Sequence, residues 1–181
     1  METIQEESSR KIKTDATIVS LKCILDGVMI HGFLLESGNI QDILRQELRK
    51  LLMRLLRDSD YNVRLLATEG FCKLLICERM QNPWDFIARL IMLYFERSKA
   101  DNSDLNQRQA HLLVKIKKTI EEFFTYFPRL ANDRCIELFE ATILAIYYLI
   151  KSRALGNSDP QWDKINIFYL FGTLSSMLEY K

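Results

Sequence analysis

Three features of this 181-residue chain predict an all-α fold of stacked helices. Glycine and proline are scarce, with six and three copies, and Pro83, Pro128 and Pro160 fall where helices start or stop. Apolar residues recur at three- and four-residue spacings along most of the length. The run from Asp58 to Arg79 opens with the cap residues Asp58, Ser59 and Asp60, then places Val63, Ala67, Gly70 and Leu74 four, three and four apart. At one residue per 100° those four form a narrow stripe, and Ala67 and Gly70 are small enough to admit a close neighbour.

The first dozen residues read as a flexible N-terminal end (1–13), and a repeat segment fills 14–181. Thr14 to Leu35 shows Ile18, Leu21, Leu25 and Val28 on one side, with Asp15 as a cap. After a break at Glu36-Ser37-Gly38-Asn39, Ile40 to Arg57 sets Ile40, Leu44, Leu48, Leu51, Leu52 and Leu55 along another stripe. The Asp58–Arg79 helix follows. Asn82 then serves as an N-cap, Pro83 suits the first helical position, and Asp85 favours the positive end of the helix dipole. A polar loop from Ser98 to Asn106 separates this helix from the next, Gln107 to Phe127, which Pro128 stops. Asp133 to Arg153 is expected to turn Ile136, Phe139, Ile143, Ile146, Tyr147 and Ile150 inward. Asp159-Pro160 starts the last helix, Gln161 to Tyr180, which is apolar nearly all round from Ile165 to Leu174 and needs another layer to cover it. The sum is about seven helices without strict sequence periodicity.

Composition excludes several classes. A chain that is 48% hydrophobic and 27% charged is neither disordered nor membrane-spanning in pattern, and its longest apolar stretches are short. With a net charge of +1, any attraction to nucleic acid must come from local patches. Cys23, Cys72, Cys77 and Cys135 stand singly in apolar segments and read as buried thiols in a reducing compartment. Cys72 and Cys77 diverge by about 140° on one helix, a poor geometry for sharing a metal. His31 and His111 have no carboxylate or cysteine at ligand spacing, and there is no phosphate loop, so neither catalysis nor a cofactor is expected.

An Asp cap, a Val-Arg pair, a small residue at mid-helix and paired leucines form a second-helix pattern that resembles a HEAT repeat. The longer stretch LRKLLMRLLRDSDYNVRLLATEGFCKLLICERMQNPWDFIARLIMLYFER resembles the C-terminal HEAT region of condensin subunit 3, the chromosome-associated protein G family. Its elements are Asp58-Ser59, Val63-Arg64, the core Ala67 to Leu75, and Arg89 to Phe95. Flanking likeness lies in Asp15 to Asp26, Leu105 to Gln109, Phe123 to Pro128 and Cys135 to Glu140. Ala110 to Glu122 departs from the family pattern as extra helical sequence, and the family's acidic linker shrinks to a few residues near Gly38.

The fold so implied is a HEAT-repeat, armadillo-like α-solenoid segment. The resemblance implies a non-catalytic condensin subunit for mitotic chromosome condensation that binds the kleisin and works beside the SMC ATPase subunits, which would do the ATP chemistry. Sequence-independent double-stranded DNA is a further implied partner, and a membrane or small-molecule substrate is not. The implied location is the nucleus and mitotic chromosomes, with the cytoplasm for part of the cell cycle.

The residues themselves offer two basic groups. Lys50, Arg54 and Arg57 fall within about 60° on the side away from the leucine stripe. Arg64 and Lys73 lie on the next helix, and Arg45 and Arg49 form a second strip. Arg108, Lys115, Lys117 and Lys118 have no acidic residue among them. Such patches neutralise phosphates without reading bases, and a solvated helix face is the plainer reading of each. Tyr94, Phe95, Tyr147, Tyr148, Trp162 and Tyr169 are candidate anchors for a peptide partner, with core packing as the plainer reading. A generic HEAT adaptor for other protein partners is the alternative function.

Overall fold

The computed structural model describes residues 4–31, 38–80, 83–96, 104–154 and Gly172. Among them every regular element is helical: α1 (Ile4–His31), α2 (Gly38–Leu55), α3 (Tyr61–Ile76), α4 (Trp84–Tyr94), α5 (Asp104–Tyr126), a 3-10 turn (Phe127–Arg129) and α6 (Asn132–Ala154). The protein is an all-α helical-repeat segment. The expected seventh helix, 161–180, lies outside the described residues. The chain divides into two compact units, Met1–Met80 and Gln81–Lys181.

In the first unit α3 packs against both α1 and α2. The buried residues of α3 run from Gly70 through Val63, Leu74, Ala67, Phe71, Arg64, Leu75 and Thr68 to Cys72, an arc of about 200° at 100° per residue. A single neighbour needs only about half that width. Two neighbours account for it. The expected stripe forms one end of it: Val63 is 3% exposed, and Ala67 and Leu74 are fully buried. A Cβ at Gly70 would run into both δ-methyls of Leu25 on α1, so the glycine leaves the room that the Leu25 side chain occupies. Leu21 and Leu25 are the buried residues of α1, and Leu48, Leu52 and Leu55 those of α2 at four- and three-residue spacing.

Helix α1 begins at Ile4, ten residues before the expected Thr14, so most of the stretch read as a loose end is helical. Residues 4–13 contain no glycine or proline and are rich in Glu, Gln, Lys and Arg, which favour helix without any apolar stripe. Apolar periodicity is blind to such an extension.

The α2–α3 connection is a tight turn. Asp58 Oδ1 accepts from the Asp60 amide at 2.9 Å, and Asp60 Oδ1 accepts from the Asn62 amide at 2.8 Å. Asp60 is therefore the N-cap, with extended dihedrals. At the far end the Arg79 amide donates to Leu74 O at 2.9 Å and the Glu78 amide to Leu75 O at 3.2 Å. This paired closure puts Glu78 in the left-handed region, with φ 56°.

In the second unit α4 packs on α5 and α6, and the 3-10 turn joins the last two. Pro83 has helical dihedrals, and its carbonyl accepts from Phe86 and Ile87 at 3.1 and 3.0 Å. Asn82, the expected cap, lies outside the described residues. Phe86, Ile87, Ala88, Leu90 and Ile91 are fully buried, so α4 is enclosed on most sides. On α5 the buried residues are Leu113, Ile116, Ile120, Phe123 and Phe124. The stretch Ala110 to Glu122 therefore supplies much of this core.

Helix α6 inverts its expected orientation. Ile136, Phe139, Ile143, Tyr147 and Ile150, read as the inner face, are 49–60% exposed. The buried residues are Leu138, Ala141, Thr142, Ala145 and Leu149. Two alanines one turn apart let α4 approach more closely than isoleucines would, and the Thr142 hydroxyl is satisfied by Leu138 O at 2.8 Å. Arg134 fixes the start of α6, pairing with Glu137 at 2.6 Å and lying 5.4 Å from the Phe127 ring centroid.

Three outcomes are expected in urea denaturation. Asp60→Ala lowers stability by about 1 kcal/mol through loss of the cap, whereas Glu78→Gly raises it by about 0.5–1 kcal/mol by relieving the left-handed backbone. Ala145→Leu lowers it by about 1–3 kcal/mol, because the added carbons meet α4 in a filled interface. An Ala145→Leu protein as stable as the parent contradicts the assignment of this face of α6 to the core.

Candidate nucleic-acid interface

Burying the leucines of α2 turns Lys50 and Arg54 outward; both are exposed, as is Arg57 in the turn that follows the helix. Lys50 pairs with Glu47 at 2.7 Å, but both side chains are more than 60% exposed, so water screens the pair and Lys50 can exchange partner at little cost. The side chain of Arg45 is outside the described set, and Arg49 is half-buried.

Helix α3 does not contribute its two basic residues together. Arg64 and Lys73 are nine residues apart, about 180° around the helix. Lys73 is exposed. Arg64 is only 7% exposed, with its guanidinium 4.8 Å from the Tyr61 ring centroid. This corrects the expectation for Arg64, whose charge is held against an aromatic face and turned away from solvent.

On α5 the core residues determine which cations face out. Arg108, Lys115 and Lys118 fall within about 80° of one another, opposite Leu113, Ile116 and Ile120, and all three are exposed, as is His111 between them. Lys117 is corrected in turn: it sits about 100° from the nearest of the three and is half-buried. Glu122 shares the outer strip and comes within 4.0 Å of Lys118, a loose pair with both ends solvated. The strip is thus a row of three cations with His111 among them and Glu122 toward its C-terminal end.

The aromatic candidates divide. Tyr94 and Phe95 are half-buried and packed edge to face at 5.1 Å, and Tyr94 also meets Phe124 of α5 at 6.4 Å. They finish the α4–α5 core, which leaves little ring surface for a peptide. Trp162 and Tyr169 lie outside the described residues. Tyr148 donates its hydroxyl to Asp85 Oδ1 at 2.9 Å and carries the Arg89 guanidinium 4.7 Å from its ring centroid. That cluster locks α6 to the first turns of α4. Tyr147 is 53% exposed beside Lys151.

The thiols also divide, against the expectation that all are buried. Cys72 is 5% exposed, Cys135 intermediate, and Cys23 and Cys77 open to solvent. Cys77 follows the last turn of α3 and Cys23 points away from Leu21 and Leu25, so neither falls on a buried stripe. Among the described residues no group of three or more His, Cys, Asp or Glu can hold a metal, and no helix is long and apolar enough to cross a membrane.

What sequence reasoning missed is the exposed stripe of α6. The signal was available: Ala141 and Ala145, four apart, mark a close approach just as Ala67 and Gly70 do on α3.

A stack of amphipathic helices, with capped turns, small residues at the helix contacts and cations on outer faces, defines a helical-repeat scaffold. The family model for nuclear condensing complex subunits, C-terminal domain, matches residues 2–115. That is more than half of the chain, and the chain belongs to this family of condensin subunits. The match ends within α5, so the likeness drawn for Phe123 to Pro128 and Cys135 to Glu140 lies beyond the matched residues. No curated protein matches, and no solved structure matches.

Burial pushes the Cys72 thiol up from 9.0 to about 12. The folded state therefore keeps this thiol protonated where the unfolded chain ionises. Its contribution to stability is complete below pH 9 and is lost as pH rises from 9 toward 12. At pH 8 a disulfide reagent is expected to label Cys23 and Cys77 promptly and Cys72 only after denaturation. Prompt labelling of native Cys72 contradicts its placement in the core.

Proposed function

We propose that the chain is a non-catalytic condensin subunit segment that binds the kleisin and holds double-stranded DNA through its backbone, without reading sequence. The observation that carries the DNA part is the outward strip Arg108, Lys115 and Lys118 on α5, with Lys50 and Arg54 on α2, Arg57 in the turn after it and Lys73 on α3 as further exposed cations. Long, solvated cations on rigid helices suit phosphates, whose negative charge repeats along the duplex, and they offer no fixed fork toward base edges. Kleisin binding and work beside the SMC ATPases rest on family membership. So does a place in the nucleus, on mitotic chromosomes, with cytoplasmic residence for part of the cell cycle. No catalytic role is assigned.

The test is DNA affinity measured against salt. Each phosphate contact contributes a slope of about −0.9 in log K against log salt. Arg108→Glu/Lys115→Glu/Lys118→Glu is expected to flatten the slope by about 2–3 and to weaken binding equally on unrelated sequences. Lys50→Glu/Arg54→Glu/Arg57→Glu reports the α2 strip in the same way. Unchanged affinity and slope in both variants would remove the DNA reading. A kleisin peptide library titrated against the parent chain tests the other half, and no binding by any segment would remove that one.

A further inference from the structure

The outer strip of α5 does not end with its cations. Tyr126 closes the helix about five whole turns beyond Arg108, so the two lie on one line about 27 Å apart. Its ring is 62% exposed, and its side chain has no hydrogen-bond or ring partner among the described residues. An aromatic ring held open on a rigid helix offers a flat apolar face to whatever runs along the strip. His111 gives the strip a second ring, between Arg108 and Lys115.

The strip therefore changes character along its length. From Arg108 to Lys118, about 15 Å, it presents cations suited to a few phosphates of one strand. From Glu122 to Tyr126 it presents a carboxylate and a ring. A carboxylate repels phosphate but accepts hydrogen bonds from base amino groups, and a phenol ring stacks on a base face. One end suits the backbone of a nucleic acid and the other suits its bases. A duplex meets only the first end, because its bases are stacked inside and show Tyr126 no face. An unpaired strand meets both, following the cations with its phosphates and turning a base onto the ring.

We propose that the outer strip of α5 is a track for single-stranded DNA, with Arg108, Lys115 and Lys118 on the phosphates and Tyr126 as a stacking platform that gives an unpaired strand a contact no duplex can make. This rests on the reading of the same cations as a DNA site and adds the strand state that the strip distinguishes.

The test is fluorescence anisotropy of the full chain with labelled oligo(dT) and with a labelled duplex of equal length, at one salt concentration. Tyr126→Ala is expected to weaken oligo(dT) binding about fivefold or more and to leave duplex binding within about twofold. Tyr126→Phe keeps the ring and binds both like the parent. The ring stands at the surface, so neither substitution threatens the fold. Three results overturn the single-strand track and leave the duplex reading intact: a parent that binds duplex but not oligo(dT), a Tyr126→Ala effect that is absent or equal on the two ligands, or a Tyr126→Phe protein as weak as the alanine variant. A parent that binds neither ligand removes both readings.

Discussion

The approach of Leu25 on α1 to Gly70 on α3 is the constraint on which the first unit depends. A helix with neighbours on two sides cannot carry bulky residues all round and still let both come near. Helix α3 meets this with Gly70 and Ala67 flanking Val63 and Leu74 at one end of its buried arc, and with Phe71 and Leu75 filling the rest. The second unit uses the same device with a different residue: Ala141 and Ala145 form the face of α6 that meets α4. In both units small side chains leave room for a neighbouring helix, and large ones fill the space around them.

The charged surface follows from this packing. Once Leu113, Ile116 and Ile120 are committed to the core, the rotation of α5 is decided, and Arg108, Lys115 and Lys118 have only the solvent side left. The same logic turns Arg64 inward, because it shares the buried arc of α3 with Leu75 and Phe71, and the Tyr61 ring shelters its charge. Basic residues close together in sequence thus separate by helical angle. Angle, more than local charge density, decides which cations are offered to a partner.

Much of this was legible in the sequence, for physical reasons. The cap at Asp60 reads directly because its side chain bonds within the next two residues, and the stripe of α3 reads because its period is short and its small residues are diagnostic. The α1 extension was missed because residues 4–13 hold their helix by propensity, without an apolar face. The orientation of α6 was misread because both of its faces are apolar, and residue size was taken as the guide to burial. Thr142 and the two alanines bury better there because α4 needs room. Arg64 could not be placed from charge alone, since only the packed helix shows that its direction is inward.

A double-mutant cycle across Gly70 and Leu25 tests the central claim most directly. Gly70→Leu alone should destabilise the protein by about 2–3 kcal/mol through overpacking. In a Leu25→Ala background the new side chain enters the space vacated on α1, and the coupling should exceed about 1 kcal/mol in the restoring direction. Strictly additive effects would show that the two residues do not meet, and that close approach at Gly70 does not hold α1 and α3 together.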